Sequence, residues 1–81
     1  MKATINLSQI ANGETVVIKS VSDSSLKIKL MEMGFTKGRS VKMLFRAPLG
    51  DPMAVEVNGY VLSLRKNEAQ WIEVIHTSPT R

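Results

Sequence analysis

The sequence predicts a mainly β fold, a small five-stranded barrel with one α-helix inserted after the first strand. Runs of β-branched or alternating apolar residues, separated by turns that contain glycine or proline, predict the strands. A single segment with helical spacing ends at a glycine and predicts the helix. Strands that follow one another in the chain can pair without a long crossover, and closure of the sheet would leave no exposed edge.

The chain before residue 22 predicts a helical turn and the first strand. Leu7 and Ile10 are three residues apart, which is typical of one helical turn that covers an end of the core. Asn12 and Gly13 are a turn signal, and the β-branched residues after them predict a strand over 14–21.

The helix is predicted over 24–33. The residues at its start, 22–25, are three serines and an aspartate, whose side-chain oxygens can accept hydrogen bonds from the free amides of a first helical turn. Gly34 can adopt the left-handed conformation past the last turn without a Cβ clash, and Phe35 can pack back onto that turn. Gly34 is therefore predicted to end the helix.

An alternating segment predicts a second strand over 40–47. Its inward face is predicted to contain Val41, Met43, Phe45 and Ala47. The turn over 48–52 contains Gly50, Asp51 and Pro52, which stop the strand.

Asn58 and Gly59, between two apolar runs, predict a type I′ hairpin turn. The register then pairs Val57 with Tyr60, Val55 with Leu62, and Met53 with Leu64, and we expect all six side chains to face the core. A helical turn over 65–70 and a last strand over 71–76, with Ile72 and Val74 inward, complete the barrel.

The 81 residues, 43% of them hydrophobic, suffice for one core. We expect a single domain over 1–76 and a flexible tail over 77–81. The chain has no cysteine, which excludes disulfides and thiolate metal sites and suits the cytoplasm. We expect no membrane span and no signal peptide, because the apolar runs are short.

Positive charge is concentrated in one segment of the chain. Residues 26–47 contain six lysines and arginines but only one acidic residue, Glu32, whereas the rest is nearly neutral. Such a surface can bind nucleic acid, an anionic membrane or an acidic protein. It can equally serve solubility alone.

Few residues suit catalysis or metal binding. The single histidine, His76, is three residues from Glu73, so the two side chains point to opposite faces of a strand and cannot share a metal ion. The glycine spacing over 34–40 is one residue short of a phosphate-binding loop, and the segment follows a helix instead of a strand. We therefore expect no enzyme activity, no catalytic or metal-binding residue and no cofactor.

Ile28 and Met31 lie on the helix face opposite the one predicted to be buried. Because a helix on a small barrel buries one face, these two residues form either a docking site beside Lys27 and Lys29 or additional core. In the second case Ile28 or Met31 would pack under Leu7, Ile10 or Phe35. The sequence leaves both interpretations open.

Nucleic acid binding is the alternative function for a basic small barrel. Proteins that bind single strands stack bases on exposed aromatic side chains. Phe45 and Tyr60 are predicted to face inward and Phe35 to pack at the helix end, which leaves only Trp71. This distribution disfavours nucleic acid.

Several motifs, in their order and spacing, resemble one known family. They are Leu30-Met31-Glu32-Met33-Gly34-Phe35, Ala47-Pro48-Leu49-Gly50-Asp51-Pro52, Asn58-Gly59-Tyr60 and Leu64-Arg65-Lys66-Asn67-Glu68-Ala69. Over 7–75 the sequence resembles the FeoA family, the small cytoplasmic partners of the bacterial ferrous iron transporter FeoB. It is also similar to the C-terminal SH3-like domain of iron-dependent repressors.

The resemblance implies an SH3-like barrel without catalysis that supports Fe²⁺ uptake by contact with FeoB. We expect this contact, near the anionic membrane surface, to involve Lys27, Ile28, Met31, Lys37 and Arg39. Structural turns are expected at Gly34, Gly50, Asp51, Pro52, Asn58 and Gly59, and the first four of these residues are expected to shape the contact surface. The expected location is the cytoplasm, peripheral to the inner membrane through the partner. The sequence leaves undecided whether the protein forms a homo-oligomer through an unpaired barrel edge.

Overall fold

The computed structural model describes residues 5–22 and 24–76. The strands are β1 (Ile5–Asn6), β2 (Thr15–Val21), β3 (Ser40–Arg46), β4 (Met53–Val57), β5 (Tyr60–Leu64) and β6 (Ile72–His76). The helical elements are a 3₁₀ turn (Leu7–Gln9), α1 (Lys27–Glu32) and α2 (Lys66–Ala69). Asp23 and the predicted tail over 77–81 lie outside the described residues.

The mainly β architecture is as predicted, but the strand count and the closure of the barrel are not. The six strands form one antiparallel sheet in the order β1-β6-β2-β3-β4-β5. The additional strand, β1, has two residues and is too short to show alternation. The helix consequently follows the second strand, not the first. In the described part of the chain β5 pairs only with β4, so the sheet keeps an edge that the predicted closed barrel would lack.

The core is a single cluster of apolar side chains contributed by every strand from β2 to β6 and by all three helical elements. Among the described residues no polar or charged residue is buried, and no buried side-chain nitrogen or oxygen lacks a hydrogen-bond partner. The helical elements contribute Leu7, Leu30 and Ala69, all with 0% exposure. The fold is therefore stabilised mainly by apolar burial.

The β4–β5 hairpin has the predicted register, including the pair Val57 and Tyr60 next to the turn. Asn58 and Gly59 have φ angles of 56° and 81°, and a type I′ turn requires positive φ at both positions. The inward prediction for Tyr60 is wrong, because Tyr60 begins the edge strand and remains 70% exposed.

A β-bulge changes which side chains of β3 face the core. Met43 pairs with Val55, but Phe45 pairs with Ala54, so the register shifts by one residue between them. The shift turns Phe45 outward, where it is 59% exposed, and the inward prediction for it is wrong. It also brings Arg46 to the core side, where its Nη2 donates hydrogen bonds to the carbonyls of Ser8 (2.9 Å) and Ile10 (2.6 Å).

Helix α1 is shorter than predicted and begins at Lys27 instead of residue 24. The Ser24 hydroxyl accepts a hydrogen bond from the Leu26 amide at 3.2 Å, which favours a turn before the helix. At the other end Gly34 has a φ of 108°, and the Phe35 amide donates to the Leu30 carbonyl at 3.1 Å. This is the left-handed glycine ending that the sequence indicates.

Glu68 connects α2 to α1. Its carboxylate accepts a hydrogen bond from the Arg65 amide at 2.9 Å and lies 3.3 Å from the Lys29 Nζ. The hydrogen bond from Arg65, and after it the interactions with Lys29, lower the pKa of Glu68 below its ordinary value of 4.5 despite some desolvation.

We expect Glu68 to contribute a stability that depends on pH. Because its pKa is lower in the folded than in the unfolded state, the contribution is present above pH 4.5 and is lost as the pH falls below it. Glu68→Gln should therefore lose less stability than the wild type between pH 7 and pH 3 in urea unfolding. Glu32→Gln, at an exposed position on α1, is the control. An identical loss in wild type and Glu68→Gln would contradict the assignment.

Candidate partner-binding surface

The outer face of α1 exposes two apolar side chains. Ile28 is 71% exposed and Met31 is 42% exposed, whereas Leu30 on the inner face is fully buried. Residues three apart on a helix are neighbours, so Ile28 and Met31 form one patch. Of the two interpretations that the sequence left open, the docking site agrees with this exposure and additional core does not.

A groove, hereafter the helix groove, separates α1 from β2. It has a volume of about 210 Å³ and is lined by Lys19, Ser20, Val21, Lys27, Met31, Phe35 and Lys37. Most of the accessible surface inside the groove is apolar. None of its three lysines forms an ion pair within the described residues. An apolar centre with a charged rim is typical of protein interfaces, and this rim favours an acidic partner.

A second depression, hereafter the Lys37–Asn58 cleft, adjoins the helix groove. It has a volume of about 580 Å³ and is lined by Lys37, Gly38, Arg39, Ser40 and Asn58. Lys37 lines both depressions, so they meet at this residue.

Four of the five residues expected at the contact site line the two depressions. Lys27, Met31 and Lys37 line the helix groove, and Arg39 lines the adjoining cleft. Ile28 lies beside the groove on the outer face of α1.

The turn that contains Gly50, Asp51 and Pro52 lies away from this surface. It follows the far end of β3, about 20 Å from Ser40 at about 3.3 Å per residue. Asp51 has a structural role there, since its Oδ1 accepts a hydrogen bond from the Lys66 amide at 2.9 Å and so joins the turn to α2.

Among the charged residues that line the two depressions, Lys19 is the one that sequence reasoning missed. It lies on β2 at the register shift between Ile18 and Ser20, and it reaches the same groove as Lys27 and Lys37. These lysines come from separate elements, so no local pattern indicates that they share a surface.

Residues 5–22 and 24–76 contain no group of three or more His, Cys, Asp or Glu side chains placed to hold a metal ion. The Nε2 of His76 lies 3.3 Å from a carboxylate oxygen of Glu14, which is a surface contact. None of the helices in these residues combines the length and the apolar character that a membrane span requires.

Three aromatic side chains are exposed, namely Phe45, Tyr60 and Trp71, with exposures of 59%, 70% and 37%. The expectation that only Trp71 would be available is therefore wrong. The argument against nucleic acid from buried aromatics no longer holds.

Solved structures define the class of this domain as small and SH3-like. The chain is similar to a FeoA-like protein from Clostridium acetobutylicum, with 33% identity and a TM-score of 0.90 over 100% of this chain and 95% of the other. It is also similar to FeoA of Stenotrophomonas maltophilia, described as a procaryotic SH3 domain protein complexed with zinc (32% identity, TM-score 0.78, covering 86% and 88%). A manganese-dependent transcriptional repressor shares the fold at 18% identity and a TM-score of 0.83, over 95% of this chain and 44% of the repressor.

The model of the FeoA domain family matches residues 5–76, and the chain belongs to this family. A curated relative is the Fe(2+) transport protein A/Fe(2+) transporter FeoB fusion protein of Porphyromonas gingivalis. The two are 34% identical over 71 residues, which cover 86% of this chain and 8% of the fusion protein. The chain thus corresponds to a small part of that relative.

Proposed function

We propose that this chain is a non-enzymatic accessory protein of bacterial ferrous iron uptake, and that it acts in the cytoplasm by contact with the transporter FeoB. The observation that carries the proposal is the relative in which transport protein A and FeoB are fused. A tether raises the effective concentration of one domain beside another. The fusion therefore supports a function of the FeoA domain that requires proximity to FeoB.

The contact surface in this proposal is the outer face of α1 together with the helix groove. Ile28 and Met31 would supply the apolar centre of the interface, and Lys27, Lys37 and Arg39 its charged rim. Lysines near an anionic leaflet add about 1 kcal/mol each, so the same rim suits a site close to the membrane.

We expect the double substitution Ile28→Glu with Met31→Glu to weaken binding to FeoB at least tenfold, or about 1.4 kcal/mol. Both side chains are exposed, so the fold should persist, while two carboxylates replace the apolar centre of the interface. The measurement is a titration against purified full-length FeoB in nucleotide-free, GDP and GTP-analogue forms, with circular dichroism to verify folding.

Leu49→Glu provides the matched control, because Leu49 is 96% exposed in the turn after β3 and away from α1. It should bind FeoB like the wild type. Wild-type affinity in a folded double variant would place the interface elsewhere, and no binding of the wild type to any form of FeoB would overturn the proposal.

Nucleic acid binding is the second candidate, and the exposure of Phe45 and Tyr60 favours it. A titration with single-stranded oligonucleotides at two salt concentrations tests it. Micromolar affinity that falls steeply with salt would support this function.

A further inference from the structure

The Lys37–Asn58 cleft contains positive charge that the protein itself does not neutralise. Among the described residues no carboxylate lines the cleft, and neither Lys37 nor Arg39 forms an ion pair or a side-chain hydrogen bond. Two other cations are engaged, since Lys29 is paired with Glu68 and Arg46 donates to two backbone carbonyls. The charge in the cleft is therefore available to a ligand.

The backbone below the two cations is held in place by β2 and the preceding turn. The Gly38 amide donates to the Ile18 carbonyl at 2.8 Å, and the Ile18 amide donates to the Arg39 carbonyl at 2.9 Å. The Arg39 amide donates to the Thr36 carbonyl at 3.0 Å. Because these groups are already bonded, the segment needs no rearrangement to present its side chains.

Gly38 leaves the floor of the cleft open between Lys37 and Arg39. Its φ is 86°, a conformation that favours glycine, and a Cβ added there would meet no atom within 4 Å. A ligand can therefore approach the backbone closely at this point.

Two neutral donors also line the cleft, one from the same segment and one from a distant turn. Asn58, in the β4–β5 turn, contributes an amide, and Ser40, at the start of β3, contributes a hydroxyl. A depression that shares Ser40 and Asn58 with the cleft is lined by Glu56, and Glu56 lies directly across the strands from Lys42. Opposite charges in such a cross-strand pair offset each other.

We propose that the Lys37–Asn58 cleft binds the phosphate group of a small anionic ligand, either a soluble phosphate ester or a lipid headgroup. A guanidinium can donate two parallel hydrogen bonds to phosphate, and an ammonium adds a point charge. The cleft, at about 580 Å³, leaves space for an organic substituent beside the phosphate. The inference goes beyond contact with FeoB and does not depend on it.

Titration of the isolated full chain, followed by amide chemical shifts in ¹⁵N-labelled protein, tests the proposal. The probes are inorganic phosphate and glycerol phosphate, with chloride keeping the ionic strength constant. We expect saturable shifts confined to 37–40 and Asn58. The double variant Lys37→Gln with Arg39→Gln should bind at least tenfold more weakly.

The matched control removes the same charge outside both depressions, by Arg65→Gln with Lys66→Gln at the start of α2, where both residues are exposed. It should keep its affinity within twofold. If both double variants lose affinity for the probes equally, the response depends on net charge alone and the proposal is overturned. The proposal is also overturned if the protein shows neither saturable shifts nor vesicle binding.

Co-sedimentation with vesicles distinguishes the two sources of phosphate. Phosphatidylcholine vesicles with and without phosphatidic acid are the probes. Binding that requires phosphatidic acid and is lost only in the Lys37/Arg39 variant assigns a lipid headgroup. Saturable binding of glycerol phosphate without vesicle binding assigns a soluble ester. If vesicle binding persists in the Lys37/Arg39 variant and the soluble probes do not bind, the cleft is not the phosphate-binding site and the proposal is overturned.

Discussion

Phe35→Ala is expected to lower the free energy of unfolding by about 3–5 kcal/mol, the usual cost of removing a buried aromatic ring. Phe35 is completely buried and follows the end of α1, where its amide also bonds to the Leu30 carbonyl. Because small domains are stable by about 5–15 kcal/mol, this loss would consume much of the stability. Urea unfolding followed by circular dichroism measures it.

Phe45→Ala is the control for the same change of side chain. Phe45 is 59% exposed on the outer face of β3, so we expect it to lose less than about 1 kcal/mol. If the two substitutions lowered the free energy of unfolding by comparable amounts, Phe45 would be packed in the core. This result would contradict the β-bulge after Met43.

Structural elements whose backbone conformation is determined by one or two residues could be predicted from the sequence. Asn58 and Gly59 determine the hairpin turn and hence its register, because few residue pairs tolerate positive φ at both turn positions. Gly34 similarly predicts where the helix terminates. In both cases the backbone conformation depends on one or two residues and not on distant packing.

The bulge in β3 could not be predicted in this way. One extra residue between Met43 and Phe45 reverses the faces of everything after it, and alternation alone does not show where the reversal occurs. This single feature places Phe45 outside and directs Arg46 toward the carbonyls of Ser8 and Ile10. Strict alternation with Phe45 inward would place Arg46 on the outer face, but Arg46 instead joins the 3₁₀ turn to the sheet.

On the candidate surface, too, some features follow from residues close in sequence and others depend on the tertiary structure. Helical periodicity placed Ile28 and Met31 on one face of the helix, but their exposure is known only from the structure. The contribution of Lys19 to the helix groove depends on how β2 lies against α1. The Lys37–Asn58 cleft likewise requires two segments that are distant in sequence.

Gly34 connects these parts of the surface, because it lies where the end of α1 meets the β4–β5 turn. A Cβ built on Gly34 would lie 3.4 Å from the Asn58 Nδ2 and 3.9 Å from the Val57 methyl carbons. These are ordinary contacts for a methyl group, so the larger difficulty is the backbone conformation, with φ at 108°.

Gly34→Val is expected to lower the free energy of unfolding by about 2 kcal/mol or more, since left-handed strain costs about 1–2 kcal/mol and more for a β-branched residue. Thermal unfolding measures it, with Gly13→Val as control. Gly13 has a similar φ of 88° but nothing within 4 Å of an added Cβ. The excess loss at Gly34 over Gly13 then reports the crowding of valine methyls against Val57 and Asn58. Equal losses would attribute the whole effect to the backbone, and an unchanged melting temperature for Gly34→Val would contradict the left-handed helix end.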